Sequence, residues 1–253
     1  MNMQLQLTGK TALITGSSQG IGLEIAKLLH SEGCRVALNG RNTYMLNSAS
    51  NELNGSIAVA GDVTLPQEAS RIVLEVLAAF GKLDILVCNV GSGRSVSPGN
   101  ECPQEWQKIF ALNFWSVTNV VEAAIESLTI SKGVIICISS ICGIEAIPEA
   151  PVTYSSAKAA LNAYVRGIAR PLGKKGIRIN AIAPGNIVFN GSVWSKKLED
   201  DELSVHSFLN RDVCLGNLGH PSDVAHLVAF LASPLSKFAT GGVWTLDGGQ
   251  IRS

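Results

Sequence analysis

The sequence is short of charge and of aromatic rings, and it favours neither sign. Charged residues are 16% and aromatic residues 6% of the 253 positions, and 20 Lys plus Arg balance 20 Asp plus Glu. A zero formal balance gives no basic excess to hold a polyanion, which argues against a nucleic-acid partner. It also removes one obstacle to self-association. Histidine is scarce too, with 4 residues, and neither His206 nor His220 has metal-ligand spacing, so no metal site is expected. The 6 cysteines form no Cys-x-x-Cys pair. They occur in runs such as Leu86-Val87-Cys88 and Ile135-Ile136-Cys137, and read as small buried hydrophobes of a reducing compartment. No apolar stretch reaches the roughly 18 residues of a membrane helix, and residues 1–10 lack the apolar run of a signal peptide. A cytoplasmic chain with no membrane partner is expected.

What is abundant is apolar sequence, at 46%, arranged as strand-like runs that alternate with helical patterns. Short apolar or β-branched runs at 11–15, 35–39, 56–60, 85–88, 134–138, 178–183 and 243–246 predict seven strands. Helices are predicted over 21–30, 66–80, 103–128, 152–173 and 222–232, the last with a serine cap. Continuous apolar strands between helices indicate a parallel sheet covered on both faces. The fold class is therefore α/β, a single doubly wound Rossmann-type domain over 1–253. One stretch breaks the rhythm. From about 184 to 219 there is no strand, only two short helical possibilities near 193–198 and 202–209. It follows the C-terminal end of a strand, where open sheets bind their ligands, and reads as a substrate-covering flap.

The first strand runs into Thr15-Gly16-Ser17-Ser18-Gln19-Gly20-Ile21-Gly22 and then into a helix. Glycines there let the backbone turn tightly and let a pyrophosphate reach the helix N-terminus. Further on, Tyr154 and Lys158 are four apart and share one helix face. A free tyrosine has a pKa near 10, and a neighbouring cation lowers it by stabilising the phenolate. Such a pair suits proton transfer to the alkoxide that hydride transfer leaves on a carbonyl.

The turn spacing, Thr-Gly-x-x-x-Gly-Ile-Gly, resembles that of the short-chain dehydrogenase/reductase family, most closely its 3-oxoacyl-carrier-protein reductase and sugar-alcohol dehydrogenase branches. The same order of motifs continues through Asp62-Val63, Asn89-Val90-Gly91, Asn113, Ser140, Tyr154-Ser-Ser-Ala-Lys158, Pro184-Gly185 and Asp247-Gly248-Gly249. The resemblance implies an NAD(P)-dependent oxidoreductase acting on a small-molecule carbonyl or alcohol, commonly a homotetramer or homodimer. It assigns the cofactor to Gly16, Ser17, Ser18, Gln19, Gly20, Ile21 and Gly22, to Asn39, Arg41, Asp62, Val63, Asn89 and Gly91, and to Tyr154, Lys158, Pro184, Gly185 and Ile187. It makes Tyr154 the general acid/base, with Lys158 lowering its pKa, Ser140 bonding the substrate oxygen and Asn113 placing a water. Ser139 is the competing serine; Ser140-Ile-Cys-Gly143 fits the family's Ser-x-x-Gly pattern. The interval from Ser140 to Tyr154 is one residue longer than is common there.

The end of the second strand, Leu38-Asn39-Gly40-Arg41, carries no acid to accept from a ribose 2′-hydroxyl and offers an arginine for a 2′-phosphate. NADP(H) is therefore favoured, with NAD(H) allowed. Two departures from the family stand out. Val90 replaces a small alanine, and Phe189 stands where a threonine usually meets the carboxamide, a contact left to a backbone group or Ser192. Arg94, Phe189 and Trp194 are candidate substrate neighbours, with a solvated loop and ordinary packing as the alternatives. A nucleotide-binding regulatory or scaffold protein, and a nucleotide-sugar dehydratase or epimerase, are the competing functions.

Overall fold

The computed structural model describes residues 4–252. Residues 1–3, part of the stretch read as lacking a signal peptide, lie outside the described residues, as does 253. In chain order the elements are β1 (Thr11–Ile14), α1 (Gly20–Ser31), β2 (Arg35–Gly40), α2 (Thr43–Asn51), β3 (Ile57–Ala60), α3 (Pro66–Phe80) and β4 (Ile85–Cys88). There follow α4 (Pro103–Phe110), α5 (Ser116–Ser131), β5 (Val134–Ile138), α6 (Val152–Lys174) and β6 (Arg178–Pro184). The chain closes with α7 (Val193–Asp200), α8 (Glu202–Asp212), α9 (Pro221–Ala232) and β7 (Val243–Leu246).

The strands form one sheet in the order β3-β2-β1-β4-β5-β6-β7, with every neighbouring pair parallel. This is the expected doubly wound α/β fold. Every residue of β1, β4 and β5 is buried, which is why these strands read as unbroken apolar runs. Successive side chains alternate between faces. Leu13, Leu86, Ile135 and Ile179 pack under α3, α5 and α6; Ile14, Ile85, Ile136 and Ile182 pack under α1 and α9. Strand order reverses between β1 and β4, and a crevice opens there at the carboxyl ends of the strands. Among the described residues, no helix is long and apolar enough to cross a membrane.

Four expectations need correction. The helix predicted over 103–128 is interrupted by a π-helical turn, Ala111–Trp115, that separates α4 from α5. Asn113 sits in it and its Nδ2 donates to the Ile109 carbonyl, at 3.1 Å, a side-chain bond that competes with the regular ladder. Helix α2 was not predicted. It buries only Leu46 and Ala49, too few for a readable stripe, and it depends on an Asn42 cap that accepts from the Met45 N–H at 3.1 Å. Helix α9 starts at Pro221, not at a Ser222 cap, and the Asp223 carboxylate accepts from the His220 N–H at 2.7 Å. Finally, Cys34, Cys88 and Cys137 are buried, but Cys102 and Cys214 are exposed and Cys142 is half-buried.

At the opposite end of the sheet from the crevice, the buried Asp84 carboxylate joins β1 to β4. It accepts from the Thr11 N–H at 2.9 Å and pairs with Lys10 at 3.1 Å and Lys82 at 3.0 Å. Burial pushes this carboxyl up, but the Thr11 N–H and the two lysines outweigh burial and hold it below its ordinary value. Its contribution to stability is therefore full above the ordinary carboxylate pKa and is lost as pH falls through the lower folded value. Asp84→Ala is expected to cost about 1–3 kcal/mol, because the Thr11 N–H loses its acceptor. Urea denaturation at pH 7 and pH 3 checks this: the gap between wild type and variant should shrink at the acid pH.

Candidate functional site

The crevice at the carboxyl ends of the strands is a cavity of about 2560 Å³. One end is shaped by the glycine turn. Gly16 and Gly20 have φ of +64° and +59°, values that L side chains rarely adopt. A Cβ on Gly22 would lie 2.4 Å from the Gly16 carbonyl oxygen, so the turn closes on its own helix only with glycine there. Asn89 fastens it, donating from Nδ2 to the Thr15 and Gly16 carbonyls at 3.1 and 2.9 Å. Ser17 is fully buried and ties β1 to β2, donating to the Ile14 carbonyl at 2.8 Å and accepting from the Asn39 N–H at 3.0 Å. The side chains of Asn89 and Ser17 thus build the turn. Val90 presses on Gly16, with its Cγ2 3.1 Å from where a Cβ would be.

Ser18, Gln19, Ile21, Asn39, Arg41, Asp62, Val63, Asn89 and Gly91 line this end; the face of Gly20 is covered by the Phe189 ring. A Cβ on Gly40 would be 3.3 Å from the Ser18 hydroxyl, which places Ser18 at the end of β2. Arg41 is exposed and reaches Asp62 at 3.5 Å. Burial pushes the Asp62 carboxyl up, but hydrogen bonds from Thr64 and the Arg41 charge more than offset it. Asn42 and Met45, at the start of the unpredicted α2, line the same wall.

The dinucleotide implied by the motif order fits these residues on two observations. Helix α1, which opens at the crevice, has no side-chain cap at its N-terminus, so its first N–H groups are left for an anion. Asn39 Oδ1 is buried without a donor, while its Nδ2 donates to the carbonyls of Val59 and Gly61 at 3.0 and 3.2 Å. Those two bonds fix the orientation of the amide, so the bare atom is an acceptor that awaits a partner.

The other end of the cavity holds Ser140, Tyr154 and Lys158 together. Lys158 is 3% exposed and donates to the Ile138 carbonyl at 2.8 Å. Its Nζ lies 5.8 Å from the centre of the Tyr154 ring. Burial pulls the ammonium down to about 8. Burial pushes the Tyr154 phenol up to about 12, against a hydrogen bond with Ser140 that lowers it. The two serines separate cleanly. Ser139 donates to the Asn162 amide oxygen at 2.6 Å, whereas Ser140 accepts from the Cys142 N–H at 3.2 Å and turns its hydroxyl toward Tyr154. Asn162 also donates to the Gly143 carbonyl at 3.0 Å. It stands four residues beyond Lys158 on the same face of α6, and that spacing was the signal that sequence reasoning missed.

Asn113 is fully buried, and its amide grips the loop after β4, accepting from the Ser92 N–H at 3.0 Å and donating to the Ser92 carbonyl at 3.2 Å. A Cβ on Gly91 would be 2.8 Å from Asn113 Oδ1 and 3.2 Å from Lys158 Nζ, so glycine lets this strand end slip between the two. Pro184, Gly185 and Ile187, at and after the end of β6, form the facing wall.

The segment over about 184–219 carries α7 and α8. Trp194 stacks on Phe208 at 5.2 Å and carries the Lys197 ammonium on its ring at 4.8 Å. Together with Val205, Leu209 and Val213 these rings form an apolar cluster separate from the two that flank the sheet. Arg94 donates to the Gly191 carbonyl at 3.0 Å, joining the loop after β4 to this segment. Ser192 Oγ accepts from the N–H groups of Phe189 and Ser195, at 3.2 and 2.9 Å. The tail also closes on the cavity, with the Arg252 N–H donating to Glu145 at 3.1 Å. Among the described residues no group of three or more His, Cys, Asp and Glu side chains is arranged to hold a metal.

Known proteins resemble this chain over nearly its whole length. The family profile described as Enoyl-(Acyl carrier protein) reductase matches residues 16–250. A 3-oxoacyl-[acyl-carrier-protein] reductase from Chlamydia muridarum is 34% identical over 255 residues, 98% of this chain and 100% of that protein. Its counterpart from Rickettsia bellii is 33% identical over 249 residues, covering 98% and 99%. The crystal structure of L-sorbose reductase from Gluconobacter frateurii, complexed with NADPH and L-sorbose, superposes with a TM-score of 0.93 at 28% identity, covering 99% of this chain and 100% of that one.

Ser140 is held against α6 at Gly143, where a Cβ would lie 2.6 Å from the Lys158 backbone carbon. Gly143→Ala is expected to destabilise by about 1–3 kcal/mol through overpacking of backbone on backbone. Gly173→Ala, on the same helix with nothing within 4 Å of its Cβ, should instead stabilise by up to about 1 kcal/mol. Chemical denaturation of the two variants should move the midpoint in opposite directions.

Proposed function

The chain belongs to the short-chain dehydrogenase/reductase family, and from that premise we propose that it is an NADPH-preferring reductase of a ketone, with Tyr154 as its general acid. The observation that carries this reading is the meeting of Tyr154, Lys158 and the Ser140 hydroxyl in one cavity. A bound nicotinamide would supply the hydride. Ser140 and Tyr154 bind the carbonyl oxygen through their O–H groups and hold it polarised. Tyr154 keeps its proton across the neutral range, since burial pushes its phenol up, and it hands that proton to the oxygen as negative charge develops there. Lys158, beneath the ring, stabilises the phenolate that remains. Asn113 and the Ile138 carbonyl fix Lys158 and the loop beside it, and in this reading Asn113 places the water that restores the proton.

Arg41 and Ser18 flank the end of β2 and would receive a 2′-phosphate, and Asn39 Oδ1 would accept from the adenosine portion. The segment over 184–219 covers the substrate. Arg94, Phe189 and Trp194 border that space, and Arg94 acts there as a latch to Gly191. Trp115, in the π-helical turn before α5, is 43% exposed, and this apolar ring at the surface supports assembly as a dimer or tetramer in the cytoplasm.

The test is NADPH oxidation against 3-oxoacyl thioesters, keto-sugars and oxosteroids. Tyr154→Phe should lose at least about 10²-fold in kcat. The wild-type rate should decline as pH rises through about 8, where Lys158 gives up its charge, and Lys158→Met should lack that limb. Tight NADPH binding without turnover of any carbonyl would support the non-catalytic alternative. Arg41→Ala should reduce the preference for NADPH over NADH by about tenfold, the loss of one charge-assisted contact of roughly 1.4 kcal/mol. Titration of both nucleotides checks that ratio, and an unchanged ratio would remove Arg41 from cofactor choice.

A further inference from the structure

Phe189 occupies the space that the glycine turn keeps open. A Cβ built on Gly20 would lie 2.6 Å from Phe189 Cε2 and 2.9 Å from its Cζ, so the ring rests on the face of Gly20 where no side chain intervenes. Gly20 is the first residue of α1, whose N–H groups have no side-chain cap. The ring and an approaching diphosphate therefore compete for one gap. Ile21 and Ile187 belong to the same apolar cluster as the ring and give it a resting place.

The backbone of Phe189 is also tied to the covering segment. Its N–H donates to Ser192 Oγ at 3.2 Å and its carbonyl accepts from the Ser192 N–H at 2.9 Å. Ser192 in turn caps α7 by accepting from the Ser195 N–H. Ring, cap and helix form one connected unit, and α7 carries Trp194 into its own cluster with Phe208. That cluster makes no part of the sheet packing, so α7 can shift with the core in place, and only the Phe189 ring has to leave a cluster that flanks the sheet.

We propose that Phe189 is a gate at the cofactor site: its ring must leave Gly20 before a dinucleotide can seat on α1, and its departure moves α7 through Ser192. The proposal rests on the cofactor reading above. It makes Phe189 a positioning residue that couples cofactor entry to the setting of the substrate cover. Binding that waits on a conformational step is slower than simple encounter and levels off with ligand concentration.

Stopped-flow binding of NADPH, read as energy transfer from tryptophan, tests it on the full-length wild type, Phe189→Ala and Phe189→Thr. The wild-type rate should rise and then level off. At least one folded variant should bind at least about tenfold faster without levelling. Adenosine 2′,5′-bisphosphate, which lacks a diphosphate to meet Gly20, should compete equally with all three. Hydrogen exchange across 193–200 should change on NADPH binding in the wild type. Equal NADPH rates in wild type and both variants would overturn the gate and leave the cofactor reading standing. Unchanged exchange in α7 would overturn the coupling. Failure of both NADPH and NADH to bind any of the folded proteins would overturn the cofactor reading, and the gate with it.

Discussion

A lysine ammonium buried at 3% exposure, with a backbone carbonyl as its hydrogen-bond partner, sets the geometry of everything at the site. Burying such a charge is costly, and the environment answers by drawing its pKa down. The Nζ–Ile138 bond locks the first turns of α6 to the end of β5, and this in turn presents Tyr154 to the cavity. Gly143 and Gly91 are small because Lys158 and its helix leave them no room. The charge is therefore a cost to folding at this residue: an apolar side chain would sit there more comfortably, and the Ile138 carbonyl is the partner that offsets the burial.

The sheet separates these demands along its length. At the amino ends of β1 and β4, Asp84 is fully paired and held ionised. At the carboxyl ends, polar groups are left incomplete: Asn39 Oδ1 has no donor and α1 has no side-chain cap. Incompleteness on one edge is tolerated because the strands between are saturated with backbone pairing and apolar contact.

Much of this was legible in the residues. Strand runs, the glycine turn and the Tyr154–Lys158 spacing all follow from local pattern, since period and φ are local properties. Ser140 was preferred to Ser139 on the Ser-x-x-Gly pattern, but what Ser139 does instead, donating to Asn162 23 residues away, was not legible. The π turn escaped because it coincides with a side chain bonding a carbonyl of the ladder, Asn113 to Ile109, which no periodicity records. Helix α2 escaped because two buried residues give no stripe. Ser17 and Asn89 sit in a motif associated with nucleotide, yet their side chains bond backbone; sequence gives the position of a residue in a motif but not which way its polar atoms face.

The segment carrying α7 and α8 has a small core of its own, built on Val205, Leu209 and Val213. A region whose apolar contacts are mainly internal can accumulate substitutions without unsettling the scaffold beneath it. The sheet with its two flanking cores and the segment above it can then change as nearly independent parts.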